Sequence, residues 1–269
     1  MSPVSVGKID TGETVEDTVA LLRARLAAAS AGRAKSVVPQ NQQTVTVSAS
    51  EQTARELLPI PEVLAELLPG GGLARGSVVS VDGARSMLLS MIAAITAAGG
   101  YVAVIGQPHL SLHAAAEMGA DLSRIATVDG APGFDPVEVA AVLLDGLDLV
   151  VLGLGGVSVP PSRSRAVMAR ARAKGAALVI TDGRWSGVQA SLTAQVADYR
   201  HLPFRHLGHG RIAGMSLSVE ARGRGARARH SRVDVVHLDD RVQLVAAGSS
   251  VSARVESPAV HPVSLSVAN

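Results

Sequence analysis

Gly83-Ala84-Arg85-Ser86 stands between a short apolar strand and an apolar helix, where a nucleotide-binding chain would wrap its phosphates. A P-loop, Gly-x-x-x-x-Gly-Lys-Ser/Thr, needs that length so that successive N–H groups surround the phosphates. Its lysine neutralises charge and its hydroxyl holds magnesium. After Gly83 this chain has only Ala84, Arg85 and Ser86 before the apolar helix, a loop about four residues too short by that template. No second glycine comes before Gly99, and no Lys-Ser/Thr pair follows. Gly83 and Arg85 can offer an anion a helix N-terminus, but three residues cannot enclose a triphosphate. The dinucleotide fingerprint is missing as well: no Gly-x-Gly-x-x-Gly follows the first strand, and Gly153-x-Gly155-Gly156 follows a later one and opens no helix.

Other chemistry finds little footing. The chain has no cysteine, which excludes disulfides, thiolate zinc sites and iron–sulfur clusters. His109 and His113 are spaced i, i+4, but two ligands without acidic companions do not make a metal site. No serine sits in an elbow motif. No catalytic residue, cofactor or metal is expected, and the chain is read as not an enzyme.

Positive charge is the remaining resource. The net charge is only +2, so any polyanion surface must come from clustering. Arg222, Arg224, Arg227, Arg229 and Arg232, with His230, lie within eleven residues, loosened by Gly223 and Gly225. They read as a basic loop between two strands, suited to phosphates or to an acidic protein surface. Arg163, Arg165, Arg170, Arg172 and Lys174 form a second set, and His201, His206 and His209 with Arg200, Arg205 and Arg211 a third. Aromatics are only 2% of the chain, so base stacking has few platforms. Trp185, the sole tryptophan, is a candidate exposed anchor for a partner or a core residue.

The elements that must position these residues read as follows. Val15–Ala31 has an amphipathic helical pattern, with Val19, Leu22 and Leu26 on one face; Leu22 and Leu26 are candidate partner contacts. Residues 33–50 read as a linker, so 1–50 forms a leading helix on a leash. A short helix is predicted at Pro61–Leu68. Strands at Ser77–Asp82, Tyr101–Gly106, Ile125–Val128, Asp148–Leu152 and Ala177–Thr181 then alternate with helices at Ser86–Ala98, His109–Met118, Pro136–Leu144 and Ser164–Lys174. That alternation predicts βαβ units and a mostly parallel sheet in an α/β fold. Val196–Leu202, Ile212–Glu220 and Val233–Leu238 alternate like half-exposed strands and predict an antiparallel extension. The core is thus read as 51–238. Residues 239–269 read as a largely flexible tail that carries one further strand at Val242–Ala246. The start, Met1-Ser2-Pro3-Val4, has no leader pattern, and no apolar run is long enough to span a bilayer. A cytoplasmic protein without membrane contact is expected.

The Gly71-Gly72-Leu73-x-x-Gly76 turn, the strand after it, Gly83 and the helix resemble the start of a RecA nucleotide-binding core. The resemblance runs from about Ile60 to Leu238 and implies a RecA-like, P-loop-type core whose nucleotide site has degenerated. Where such a core carries a glutamate base, this chain has Gln107-Pro108-His109. Its Walker B strand ends in Gly153 rather than a carboxylate, with Asp148 at the wrong end, and its sensor position falls near Gly183, beside Asp182. The segments matching the recombinase DNA loops, Val157–Ser162 and Trp185–Leu192, are short, so a recombinase filament is not expected.

With the leading helix and the segment Leu58 to Leu73 (LPIPEVLAELLPGGGL), the chain resembles the ImuA proteins, and more closely their actinobacterial ImuA′ variant. That resemblance implies an accessory role in the DNA-damage (SOS) response, in translesion synthesis and mutagenesis. The implied partners are ImuB, an inactive Y-family polymerase relative, and an error-prone C-family DNA polymerase. RecA and DNA are further candidates, with a nucleoid location after damage. Three alternatives stand beside it: a DNA-binding module using the arginine loop, a SulA-like inhibitor of cell division, and a working ATPase.

Overall fold

The computed structural model describes residues 57–130, 134–201 and 212–249. The segment expected to form the leading helix, with Leu22 and Leu26, residues Arg205, His206, His209 and Arg211, and residues 250–269 lie outside the described residues. All described residues except Phe134 belong to one compact unit.

Its elements, in chain order, are β1 (Leu57–Leu58), α1 (Glu62–Ala65), β2 (Leu73–Ala74), β3 (Val78–Gly83), α2 (Arg85–Ala97), β4 (Val102–Ile105), α3 (Leu112–Glu117), β5 (Ile125–Val128), α4 (Pro136–Leu143), β6 (Leu149–Gly153), α5 (Pro161–Lys174), β7 (Ala177–Thr181), β8 (Ala190–His201), β9 (Ile212–Gly223), β10 (Arg229–Leu238) and β11 (Arg241–Ala246). β1 and β2 pair as a small antiparallel ribbon. The other nine described strands form one sheet in the order β11-β10-β9-β8-β3-β7-β6-β4-β5. The neighbours from β8 to β5 run parallel, and β8 to β11 run antiparallel. The architecture is α/β, a large mixed sheet with parallel strands first and an antiparallel C-terminal extension.

Burial explains the division. β4, β6 and β7 are buried at every residue, as strands covered on both faces must be, and their sequences are unbroken apolar runs. One face packs on α2 through Met87, Leu88, Met91, Ile92 and Ile95, which share a cluster with Val79, Val81, Val104, Val151 and Val179. The alternate residues of the same strands, among them Ile105, Leu152 and Ile180, are buried outside that cluster, as are Val137, Ala140 and Val167 of α4 and α5. At about 1.5–3 kcal/mol per large buried side chain, this apolar burial dominates the attachment of the helices.

Ion pairs refine it. Arg163 binds Asp135, the N-cap of α4, and Arg170 lies 2.6 Å from Asp145 beyond the end of that helix. Lys174 reaches Asp145 at 3.8 Å. The Arg170 guanidinium holds the Asp145 carboxyl below its ordinary range, against a smaller opposing effect of burial. Such exposed pairs contribute about 0–1 kcal/mol each, so they orient α5 on α4 more than they hold it. Much of the second basic set is therefore already paired within the fold.

Several boundaries differ from the sequence reading, each for a local reason. The helix predicted at Pro61–Leu68 is a single turn, because the chain needs Leu67, Leu68 and Leu73 in the core and leaves the helix to bury them. The helix predicted from His109 starts at Leu112, where Ser111 Oγ accepts the Ala114 N–H at 3.2 Å. The strand predicted from Val196 starts at Ala190, since Ala190–Ala194 pairs with β3 on one side and with β9 on the other. The expected strand at Val242–Ala246 runs from Arg241 to Ala246 and closes a hairpin with β10.

Candidate functional site

β3, β4 and β7 end at the same edge of the sheet, where open parallel sheets bind ligands. Here the edge is closed by the chain itself. β3 stays in register with β8 through the pair Gly83 and Ala194, and the Ala84 N–H donates to the Ala194 carbonyl at 2.8 Å. The helix begins at the next residue, Arg85. Gly83 has φ +92, and a Cβ there would overlap the Ala194 oxygen. Glycine is therefore required at this position by the neighbouring strand. The N–H that a P-loop would turn toward phosphate is bonded to β8.

Around this closure lies a cleft of about 20 Å³, lined by Asp82, Gly83, Arg85, Gln107, Thr181 and Asp182 among others. That volume suits about one water molecule. Gln107 Nε2 donates to Thr181 Oγ1 at 2.5 Å and to Asp182 Oδ2 at 2.7 Å, so the side chain that follows β4 ties it to the end of β7 across the intervening β6. Asp182 sits at φ +52, an uncommon backbone conformation for a non-glycine residue. Burial pushes the Asp82 carboxyl above its ordinary range. The Asp182 backbone N–H opposes that rise and the Asp182 charge adds to it. Arg85 Nη1 donates to the His109 carbonyl at 2.9 Å. Ser86 Oγ is buried without a hydrogen-bond partner among the described residues. Among those residues no group of three or more His, Cys, Asp or Glu side chains is placed to hold a metal. The sequence reading missed the facing of Asp82 and Asp182. The signal was available in two carboxylates at the ends of parallel strands, but their adjacency depends on β7 lying beside β3.

The other expected site residues are dispersed. Asp148 is 3% exposed and structural: its carboxylate accepts from Arg75 Nη1 and from the Tyr101 N–H, both at 2.9 Å. His109 precedes α3 and shares no helix face with His113, which lies 3.6 Å from Glu117. The five arginines read as one loop are split. Arg222 lies within the last residues of β9 and pairs with Glu220; Arg229 and Arg232 are on β10; only Arg224 and Arg227 occupy the turn. Cross-strand register places Arg229 opposite Ala221, on the core side of the extension, and Arg232 opposite Ser218, on the other side. Arg229 Nη1 donates to the Glu66 carbonyl at 2.8 Å. All five remain exposed. Of the third basic set, Arg200 is bound to Asp234 at 3.1 Å. Trp185 is not an exposed anchor: it is 9% exposed, and its Nε1 has no hydrogen-bond partner among the described residues. No described helix is long and apolar enough to cross a membrane.

Comparison with known proteins places this architecture in a family. The family model of the MT3502 N-terminal domain matches residues 66–187, from the end of the α1 turn to the approach to β8. Uncharacterized protein Rv3395c of Mycobacterium tuberculosis (strain ATCC 25618 / H37Rv) is 54% identical over 170 residues, covering 61% of this chain and 83% of that protein. The chain belongs to the same family as this mycobacterial protein.

Proposed function

We propose that the chain is a non-catalytic, RecA-like accessory protein of damage-induced translesion synthesis, acting by contacts with an inactive Y-family polymerase homologue and an error-prone C-family polymerase. The observation that carries its non-catalytic half is the closure of the sheet edge. The Ala84 N–H is bonded to Ala194, the helix starts at once, and the adjoining cleft has about 20 Å³ of space. The translesion half rests on the resemblance of Leu58 to Leu73 and of the element order to ImuA proteins. The parallel sheet with its antiparallel extension supports that resemblance, as does kinship with an actinobacterial protein.

Two measurements test the reading. Titration with a fluorescent ATP analogue and magnesium is expected to give no saturable binding; saturable binding would restore the ATPase alternative. Affinity purification from DNA-damaged cells followed by mass spectrometry is expected to recover a polymerase-related subunit. Recovery of neither polymerase nor RecA subunits sinks the translesion half. DNA binding through the arginine turn and the strand that follows it is a second reading, favoured by the exposure of Arg224, Arg227 and Arg232. It requires salt-sensitive binding that collapses when these three become glutamate.

A further inference from the structure

A cavity of about 280 Å³ opens at the opposite edge of the sheet from the closed cleft, between β2, the start of β3 and the last turn of α5. Its walls are mostly aliphatic, with Leu68, Leu73, Val79 and Ala190 inside and Pro69, Ala74, Arg75 and Arg172 exposed at the mouth. Two glycines bring these parts together. A Cβ on Gly76 would come within 2.9 Å of the Arg172 Cα, and one on Gly223 within 2.6 Å of Pro69 Cγ. Strand β9 therefore delivers the arginine turn to the cavity wall. The Arg224 N–H donates to the carbonyl of Gln189, a wall residue, at 2.9 Å. Arg75 is engaged by Asp148. Arg172, Arg224 and Arg227 make no ion pair with a described carboxylate and stand exposed.

We propose that this cavity docks an acidic peptide segment of a partner protein, one large apolar side chain filling it while flanking carboxylates meet Arg172, Arg224 and Arg227. The volume lies just below the roughly 300–1,000 Å³ of small-molecule pockets, which suits an anchoring side chain rather than a cofactor. The positive charge at the mouth, without an ion pair among the described residues, selects the sign of what flanks the anchor. A protein ligand is favoured over single-stranded nucleic acid because the walls are mostly aliphatic and no aromatic ring among the described residues lines them to stack a base. The proposal rests on the reading of the chain as a partner-holding protein and adds where the partner is held.

The test uses the full-length chain and fluorescence anisotropy with three labelled probes: the peptide EDELFEDE, the peptide EDEGGEDE and an oligothymidylate. The first peptide is expected to bind, to weaken as salt rises from about 50 mM to about 500 mM, and to exceed the second by about ten-fold or more. Arg172→Glu with Arg224→Glu is expected to weaken it by about ten-fold or more, and Ala74→Trp, which fills the mouth, to do the same. All these positions are exposed, so melting points should match wild type; the arginine variants decide the matter if Ala74→Trp fails to fold. Equal binding of both peptides, indifference to Ala74→Trp in a folded variant, or binding of the oligothymidylate alone overturns the proposal. The assay contains no polymerase, so failure here is distinct from failure of the translesion reading, which the affinity purification decides.

Discussion

Gly83→Ala separates a glycine kept for a phosphate from one kept for a strand. At φ +92 an alanine is strained by about 1–2 kcal/mol. Its Cβ also overlaps the Ala194 carbonyl oxygen, and that oxygen is held by the Ala84 N–H. Relief requires β8 to move off β3, a change of the kind that overpacking forces, at about 1–3 kcal/mol. The sum is about 2–5 kcal/mol. At roughly 2–4 °C per kcal/mol for a chain of this size, the melting point should fall by about 10 °C. Gly99→Ala is the matched control: its φ is +89, but nothing lies within 4 Å of the new methyl. It should lose only the backbone strain, about 4 °C by the same conversion. Differential scanning calorimetry of wild type and both variants reads the difference. If Gly83→Ala melts with Gly99→Ala, the contact with β8 is not structural and the closed sheet edge loses its explanation.

The cleft makes a pH prediction. Because burial raises the Asp82 carboxyl, the folded chain keeps its proton to higher pH than the unfolded chain does. The contribution of Asp82 to stability is therefore greatest below the ordinary value of 3.8, falls as pH rises through the window up to the raised folded value, and is level above it. Asp82→Asn should melt higher than wild type at pH 7, with the gain vanishing near pH 3.5; a gain independent of pH would refute the account. Asp148→Ala leaves the Tyr101 N–H and the half-exposed Arg75 without their acceptor and should cost about 2–4 kcal/mol in urea denaturation, well above an exposed ion pair. Trp185 is the sole tryptophan and buried, so native emission should be blue-shifted and move to the red on unfolding. Trp185→Phe should change stability by no more than about 1 kcal/mol, since it also removes a buried donor that has no partner among the described residues, whereas Trp185→Ala should cost about 3–5 kcal/mol.

Much of this molecule is written in local pattern. Unbroken apolar runs at β4, β6 and β7, spaced by helices with glycine ends such as Gly175 at φ +67, declare strands buried on both faces. The shortness of the segment after Gly83 is likewise a local fact, because no folding can lengthen a loop. What the tertiary structure decided depends on which strands became neighbours. β8 inserted beside β3, which turned Gly83 into a strand contact and occupied the Ala84 N–H. β7 settled on the other side of β3, bringing Asp182 to Asp82. Five arginines close in sequence were split between β9, a turn and β10, and on β10 Arg229 and Arg232 face opposite sides because successive strand residues alternate. Trp185 went inward although its neighbours read as loop. The shortened loop is a property of the chain; the closing of the edge beside it is a property of strand order, which apolar periodicity does not encode.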